Sequence, residues 1–305
     1  MTTLYEKAFS PGARIRGKWN GRLYIVERQL GAGANGFVVL VRRGRSLYAL
    51  KAGFEMVDHQ SEINVLRILS RTETSFRHYL IDVDDFVFEG KGIPFSVMRY
   101  IEGVTLPAFL QTQGSDWIYI IGTKVLKKLT ELHRSGFIFG DLKLDNMLVF
   151  GHGDVELIDF GGVTRKGHSI KQLTEIYDRG YWDAGNRVAE ESYDLFAFAV
   201  LILNALDDQD RFAAYRHALP QNRRIDELHA MIREIPLATP VAPFLIKALQ
   251  GQMVSSQEAL RSWRTMIAQR RGRGQHLPKK TSWLQVGLAG SMLLFGVTIY
   301  IYWPH

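Results

Sequence analysis

At 305 residues, with 46% hydrophobic and 23% charged side chains, the chain is long enough for a sizeable core or for two lobes sharing a cleft, and too apolar to be disordered. It has no cysteine, which excludes disulfide staples and thiolate metal sites and fits a reducing compartment. The net charge of +7 is concentrated: residues 257–280 carry seven basic side chains against one acid, residues 281–305 carry no Lys, Arg, Asp or Glu, and residues 1–256 net only +1, so charge gives no reason for the whole chain to bind nucleic acid.

Met1–Glu6 has no basic stretch followed by an apolar run, so no secretory leader is expected. Arg14–Trp19, Asn20-Gly21 and Arg22–Leu30 predict a β-hairpin with a type I′ turn at Asn-Gly. The second strand runs into Gly31-Ala32-Gly33-Ala34-Asn35-Gly36, and Phe37–Val41 continues as strand. The glycines therefore join two strands, whereas a dinucleotide-binding fingerprint would join a strand to a helix and place an acid about 20 residues on. Here Leu47–Lys51 follows a turn at Arg43-Gly44-Arg45 as a third strand. Residues 62–69 carry apolar side chains at 63, 66 and 69, the spacing of one helix face, with Glu62 at its start and Glu55 and Glu73 nearby. Phe86–Phe88 and Phe95–Met98 predict a second hairpin turning at Gly90-Lys91-Gly92. A long helix to about Leu132, capped by Ser115 or Asp116, follows.

Phe139-Gly140-Asp141-Leu142-Lys143-Leu144-Asp145-Asn146, read with Asp159-Phe160-Gly161, is the most informative stretch. An acid, a lysine two residues on, an asparagine five residues on and a second acid before Phe-Gly can hold a nucleoside triphosphate, its metal ions and an acceptor hydroxyl together. Val155–Ile158 before Asp159 predicts a short strand, and Asp194–Leu201 opens a strongly apolar helix.

The strand, glycine loop, strand, turn, strand and lysine order resembles the small lobe of protein kinases. The loop matches G-x-G-x-x-G-x-V through Gly31, Gly33, Gly36 and Val38, and Tyr48-Ala49-Leu50-Lys51 resembles V-A-I-K. The resemblance implies an α+β, bilobal protein-kinase fold, with a β-rich small lobe to about residue 100 and a mainly α large lobe. It implies ATP bound by Gly31, Gly33, Gly36, Val38, Ala49, Lys51, Glu62, Met98 and Tyr100, with Glu62 orienting Lys51 and residues 99–103 as the hinge. It implies Asp141 as catalytic base, Lys143 beside the transferring phosphate, and Asn146 and Asp159 holding Mg²⁺ or Mn²⁺. Asp194 is implied to brace the catalytic-loop backbone. Lys143 resembles protein Ser/Thr kinases, whereas small-molecule kinases of the aminoglycoside type share only the Gly-Asp…Asn skeleton.

Three departures stand out. Phe139-Gly140 replaces His-Arg, removing the arginine that would pair with an activation-segment phosphate. Gly180–Gly185 stands where Ala-Pro-Glu is usual, and Asn35 occupies the loop tip where an aromatic is common. Lys51, Asp141, Asn146 and Asp159 are all retained, so an active enzyme is expected. Thr164, Ser169, Thr174 and Tyr177 are candidate autophosphorylation sites in the activation segment.

Toward the C-terminus, Pro236–Pro243 interrupts the chain, and Ser255-Ser256-Gln257-Glu258 reads as a capping box opening a helix. That helix leads to Arg270, Arg271, Arg273, Lys279 and Lys280. Trp283–Trp303 is 21 residues without a formal charge, about 31 Å as a helix and flanked by aromatic residues, which predicts a membrane span. The basic side is then cytoplasmic, and a single-pass tail anchor in the cell membrane with no outer sensor domain is expected. Gly287, Ala289, Gly290 and Gly296 give weak support for a homodimer through a small-residue interface. The expected plan is an N-terminal extension at 1–22, a kinase domain at 23–268, a basic juxtamembrane segment at 269–282 and the span at 283–303. The basic segment suits topology plus anionic lipid, or non-specific DNA. The whole chain resembles the bacterial Hanks-type Ser/Thr kinases with a C-terminal membrane segment, of the YabT type of spore-forming Gram-positive bacteria, which are associated with DNA binding and sporulation. The expected activity is transfer of the ATP γ-phosphate to protein Ser/Thr hydroxyls. The alternatives are a small-molecule kinase and a membrane scaffold with little or no turnover.

Overall fold

The computed structural model describes residues 6–33, 36–171, 174–215, 218–219 and 222–274, and of 270–274 the backbone alone. The chain divides into two units, Met1–Arg264 and Thr265–His305.

The first unit opens with six strands: β1 (Arg14–Arg16), β2 (Leu23–Gly33), β3 (Gly36–Arg43), β4 (Ser46–Gly53), β5 (Leu80–Phe88) and β6 (Lys91–Arg99). They form one antiparallel sheet in the order β1-β2-β3-β4-β6-β5, with helix α1 (Met56–Leu69) between β4 and β5 in sequence. Side chains alternate across a strand. Val39, Val41, Leu50, Ala52, Phe95 and Val97 point to one face, where they bury against Ala8 and Phe9 from the N-terminal extension. The same alternation turns Val38, Ala49 and Lys51 to the other face, so the core of the small lobe fixes which residues face the cleft.

Beyond β6 the chain is mainly helical. β7 (Val104–Thr105), α2 (Leu106–Gln113) and α3 (Ile118–Arg134) lead to β8 (Phe137–Ile138), β9 (Met147–Phe150), β10 (Asp154–Leu157) and β11 (Thr164–Arg165). These strands make two small sheets, β10-β9-β7 and β11-β8. α4 (Glu191–Leu206), α5 (Arg211–Tyr215), α6 (Ile225–Glu234), α7 (Ala242–Leu249) and α8 (Ser256–Gly274) complete it. α4 is apolar on all sides and almost wholly buried, as a central helix should be. Trp263 of α8 is fully buried against Phe198 and Phe244 and donates its indole N–H to the Tyr119 carbonyl at 3.0 Å. Gly122 makes room for it: a Cβ there would lie 2.8 Å from the Trp263 ring. Glycine inside a helix costs about 0.5–1 kcal/mol, whereas truncating a buried Trp costs about 3–5 kcal/mol, so the close approach wins.

Three local expectations are corrected. The turn between β1 and β2 is a six-residue loop, because Arg16 pairs with Leu23; Asn20 spends its side chain on Asp82 and on the Arg22 N–H and does not adopt positive φ. Type I′ geometry occurs in the second hairpin, at Glu89-Gly90 (φ 48° and 77°) between the paired Phe88 and Lys91, not at Gly90-Lys91-Gly92. α3 begins at Ile118 after a 3₁₀ turn over Ser115–Trp117, with no side-chain cap. α8 does open at the expected capping box, directly after Ser255, and its first residue, Ser256, gives both its hydroxyl and its N–H to Glu191.

Among the described residues no helix is long and apolar enough to cross a membrane. The expected span at 283–303, its small-residue interface, Lys279 and Lys280 lie outside the described residues. Arg270, Arg271 and Arg273 fall in α8 where only backbone is described.

Candidate active site

A cleft of about 870 Å³ opens beneath the glycine strands. Gly31, Gly33, Gly36, Val38, Ala49 and Lys51 reach it from β2, β3 and β4, Glu62 from α1, and Met98 and Tyr100 from β6 and the segment after it. Asp141, Lys143, Asn146 and Asp159 line it from the large lobe. All the residues expected to bind nucleotide, metal or acceptor are thus brought together. Asn35 lies outside the described residues.

Lys51, only 5% exposed, is held by two carboxylates: Glu62 at 2.7 Å and Asp159 at 2.8 Å. Burial opposes its charge, but Glu62 and Asp159 outweigh it and raise its pKa above the ordinary lysine value, so it stays an ammonium. The two neighbouring acids do not serve: Glu55 stands at the N-cap position of α1 with no side-chain capping bond, and Glu73 pairs with Arg77 at 2.7 Å. Asp159 adopts a left-handed backbone (φ 61°) and accepts the Gly161 N–H. Burial pushes its pKa up, yet Lys51 more than offsets this and holds it below the usual carboxylate range. Phe160 anchors this turn among Phe76, Tyr79 and Phe139, with ring centroids 5.2–6.0 Å apart.

The catalytic loop is suspended from α4. The fully buried Asp194 accepts the backbone N–H groups of Phe139 (2.7 Å) and Gly140 (2.9 Å) and bonds His133 at 2.8 Å. Gly140 has φ +78°, and a Cβ there would lie 2.7 Å from the Gly162 carbonyl oxygen. Asp141 is thereby presented to the cleft. Its Oδ2 meets Lys143 Nζ at 2.7 Å and the Asn146 amide at 3.1 Å. Its Oδ1 accepts the Thr174 hydroxyl at 2.5 Å, and Lys143 also donates to that hydroxyl at 3.2 Å.

The donor set fits a divalent cation carried by phosphate. Asn146 uses its NH₂ on Asp141, so its amide oxygen is oriented away from that contact, and Asp159 makes its bonds through Oδ1. One carboxylate and one amide oxygen are few for a hard cation. Among the described residues no three His, Cys, Asp or Glu side chains converge to complete a shell. The remaining ligands must come from nucleotide phosphates and water.

Several participants were not legible as such. Thr174 was singled out only as a hydroxyl in the activation segment, and the structure puts it on Asp141. His133 and Glu191 had no signal at all. Thr164 and Tyr177, also marked as phosphate acceptors, are buried, with Thr164 bonded to the Gly162 carbonyl and Tyr177 accepting from Asn204.

The comparisons agree with this geometry. The protein kinase domain family matches residues 24–268. The chain is 36% identical over 255 residues to the serine/threonine-protein kinase YabT of Bacillus subtilis, covering 82% of this chain and 73% of that protein. It is 27% identical over 198 residues to the serine/threonine-protein kinase SMU1 of Mycosarcoma maydis, spanning about a quarter of that protein (26%) and 62% of this chain. Among solved structures it resembles the ROP18 kinase domain in complex with AMP-PNP and sucrose at TM-score 0.63 and 15% identity, covering 91% of this chain and 90% of that one. Vaccinia related kinase 3 matches at TM-score 0.63 and 12% identity, covering 89% and 97%. At such identity the two structures speak for the fold alone.

Proposed function

The chain belongs to the protein kinase family, as an ATP-dependent serine/threonine kinase similar to bacterial YabT, and from that premise we propose a membrane-anchored enzyme that transfers the γ-phosphoryl of Mg²⁺–ATP to Ser or Thr hydroxyls of protein substrates, its own included. The observation that carries the reading is the pair of charged clusters on one cleft: Lys51 between Glu62 and Asp159, and Asp141 between Lys143 and Thr174.

Each residue then has a task. Glu62 and Asp159 fix the Lys51 ammonium on the cleft wall, where its charge serves the phosphates. Asn146 and Asp159 would hold the cation, which would supply positive charge to the phosphate oxygens. Asp141 orients the acceptor hydroxyl and takes its proton as the new O–P bond forms and the bond to the β-phosphate oxygen breaks. Lys143 offsets charge on the moving phosphoryl group. Thr174 holds Asp141 and Lys143 in register. Little covalent chemistry falls to the protein, so positioning carries the rate.

The test is labelled ATP with the full-length protein in detergent, wild type against Asp159→Asn. Label on protein Ser or Thr that disappears in the variant is expected. Turnover confined to sugars or aminoglycosides would instead mean a small-molecule kinase, and no turnover with any divalent metal would mean a scaffold.

The tail reading rests on sequence. Arg270, Arg271, Arg273, Lys279 and Lys280 precede a 21-residue uncharged run, which supports a cytoplasmic catalytic domain with a basic juxtamembrane contact for anionic lipid or plain duplex DNA. A salt-sensitive duplex shift abolished by alanine at Arg270, Arg271 and Arg273 is the expected result for DNA. Binding only to vesicles containing anionic lipid would assign the segment to the membrane.

A further inference from the structure

Glu191 opens α4, outside the cleft, and gathers groups from three other segments. Its Oε2 accepts both the N–H and the hydroxyl of Ser256, each at 2.7 Å, at the first position of α8. The same oxygen lies 3.3 Å from His133 Nδ1 at the end of α3. Its Oε1 pairs with Lys166 at 2.7 Å, just after β11 at the start of the activation segment. On the other side of the imidazole, His133 Nε2 meets Asp194, the carboxylate from which the Phe139-Gly140-Asp141 backbone hangs. Among the described residues, the charged groups paired with His133 are Asp194 and Glu191 of α4, with Lys166 and Ser256 behind Glu191.

We infer that Glu191 is a positioning residue for the catalytic base, tying the start of α8 and the activation segment to the loop that carries Asp141. Asp194 has to accept two loop N–H groups and His133 at once. An imidazolium between the two carboxylates keeps that geometry: Nε2 donates to Asp194, and the positive ring faces Glu191 at 3.3 Å across a contact without hydrogen-bond alignment. A neutral imidazole loses the charge that faces Glu191, and the ring is then held by the Asp194 bond alone. Burial works against the charge on His133, but Asp194 and Glu191 prevail and raise its pKa. Glu191 is held well below the carboxylate range, first by His133 and then, against burial, by Lys166 and Ser256. A displacement at the beginning of α8, the helix that runs to the basic segment, thus acts on His133 and the catalytic loop through one carboxylate.

The inference rests on the kinase assignment, and the experiment separates the two. Initial rates are measured on the full-length protein from pH 6 to 9 for wild type, Glu191→Gln, Glu191→Asp and Ser256→Pro. With one carboxylate left, the His133 pKa falls, so kcat of Glu191→Gln should drop about tenfold and decline further as pH rises through neutrality. KM for ATP should stay within about twofold, since no nucleotide contact changes. Glu191→Asp keeps the charge and should restore the flat profile. Proline suits the first turn of a helix and removes one Glu191 donor and the hydroxyl, so Ser256→Pro should lower kcat about threefold without the added limb. A Glu191→Gln profile parallel to wild type overturns the inference, as does Ser256→Pro with wild-type kcat. Ser256→Pro decides the matter if Glu191→Gln melts below the assay temperature. A wild type that labels no protein strikes the kinase assignment instead.

Discussion

Gly140 shows how a single backbone angle sets the chemistry of its neighbour. At φ +78°, with the Gly162 carbonyl 2.7 Å from where a Cβ would stand, no side chain fits beside Asp141 without moving the loop. This accounts for the missing arginine: the two backbones meet where it would be. Left-handed geometry alone costs an L-residue about 1–2 kcal/mol. Gly140→Ala should therefore lower Tm by about 5 °C and kcat by at least about tenfold, measured by thermal melting and initial rates. Thr174 is the other residue-scale test. Its hydroxyl lies between Asp141 and Lys143, and hydrogen bonds to charged groups are worth about 1.5–3 kcal/mol. Thr174→Val should lose about 10- to 100-fold in kcat while Thr174→Ser keeps most of it. Equal rates for valine and threonine would mean that the hydroxyl serves only packing.

At the scale of elements, the activation segment carries its own anchors. Arg179 is buried, donates to the Asn186 carbonyl and side chain and to Ser192, and lies over the Tyr193 ring. Arg187 pairs with Asp178 at 2.7 Å, and Asp178 also accepts the Tyr193 hydroxyl and the Gly180 N–H. The fully buried Trp182 donates to the Ile176 carbonyl. These contacts occupy the place of the usual Ala-Pro-Glu and are made by the segment's own side chains and backbone. Phosphatase treatment is expected to leave kcat unchanged, while Arg179→Ala, which leaves the buried Ser192 hydroxyl without its donor at about 1–3 kcal/mol and frees the Asn186 turn, should cut kcat at least tenfold and speed proteolysis within residues 164–190. A phosphatase-sensitive wild type would refute the first half. The same segment marks the limit of what sequence conveys. The strands around Lys51 follow from period-two alternation, and the Asp141–Asn146 and Asp159 roles from fixed local spacing, so both were legible. The Arg179 cluster links residues 7 to 15 positions apart in an irregular segment, and His133 meets Asp194 from 61 residues away, with no periodicity to announce either. Turns were misassigned for a related reason: Asn20 was drawn out of turn geometry by Asp82, a tertiary partner.

For the molecule as a whole, two buried histidines pull the pH dependence of stability in opposite directions. His59 of α1 lies against Gly53, where neither ring nitrogen has a hydrogen-bond partner among the described residues. Burial, with Lys51 nearby, pushes its pKa down from 6.5 to about 4. A histidine depressed in the folded state favours folding above its unfolded value and loses that contribution as pH falls from 6.5 toward 4. His133 is raised in the folded state, so its contribution is complete below 6.5 and is lost as pH climbs through its folded value. Asp84, Asp159 and Glu191 are depressed from 3.8, 3.8 and 4.5, so their contribution persists above those values and fails only in stronger acid. For these groups stability is greatest close to pH 6.5, with an acid-side loss from His59 that begins before the depressed carboxylates titrate; Glu62, which burial raises above 4.5, opposes that loss. Thermal melts across pH 4–9 should show that maximum. His59→Leu, which has nothing to protonate, should remove the loss between pH 6.5 and 4.5, a difference of about 2 kcal/mol at pH 5, and leave the alkaline side untouched. An acid limb identical in the two proteins would mean that His59 is not the group that titrates there.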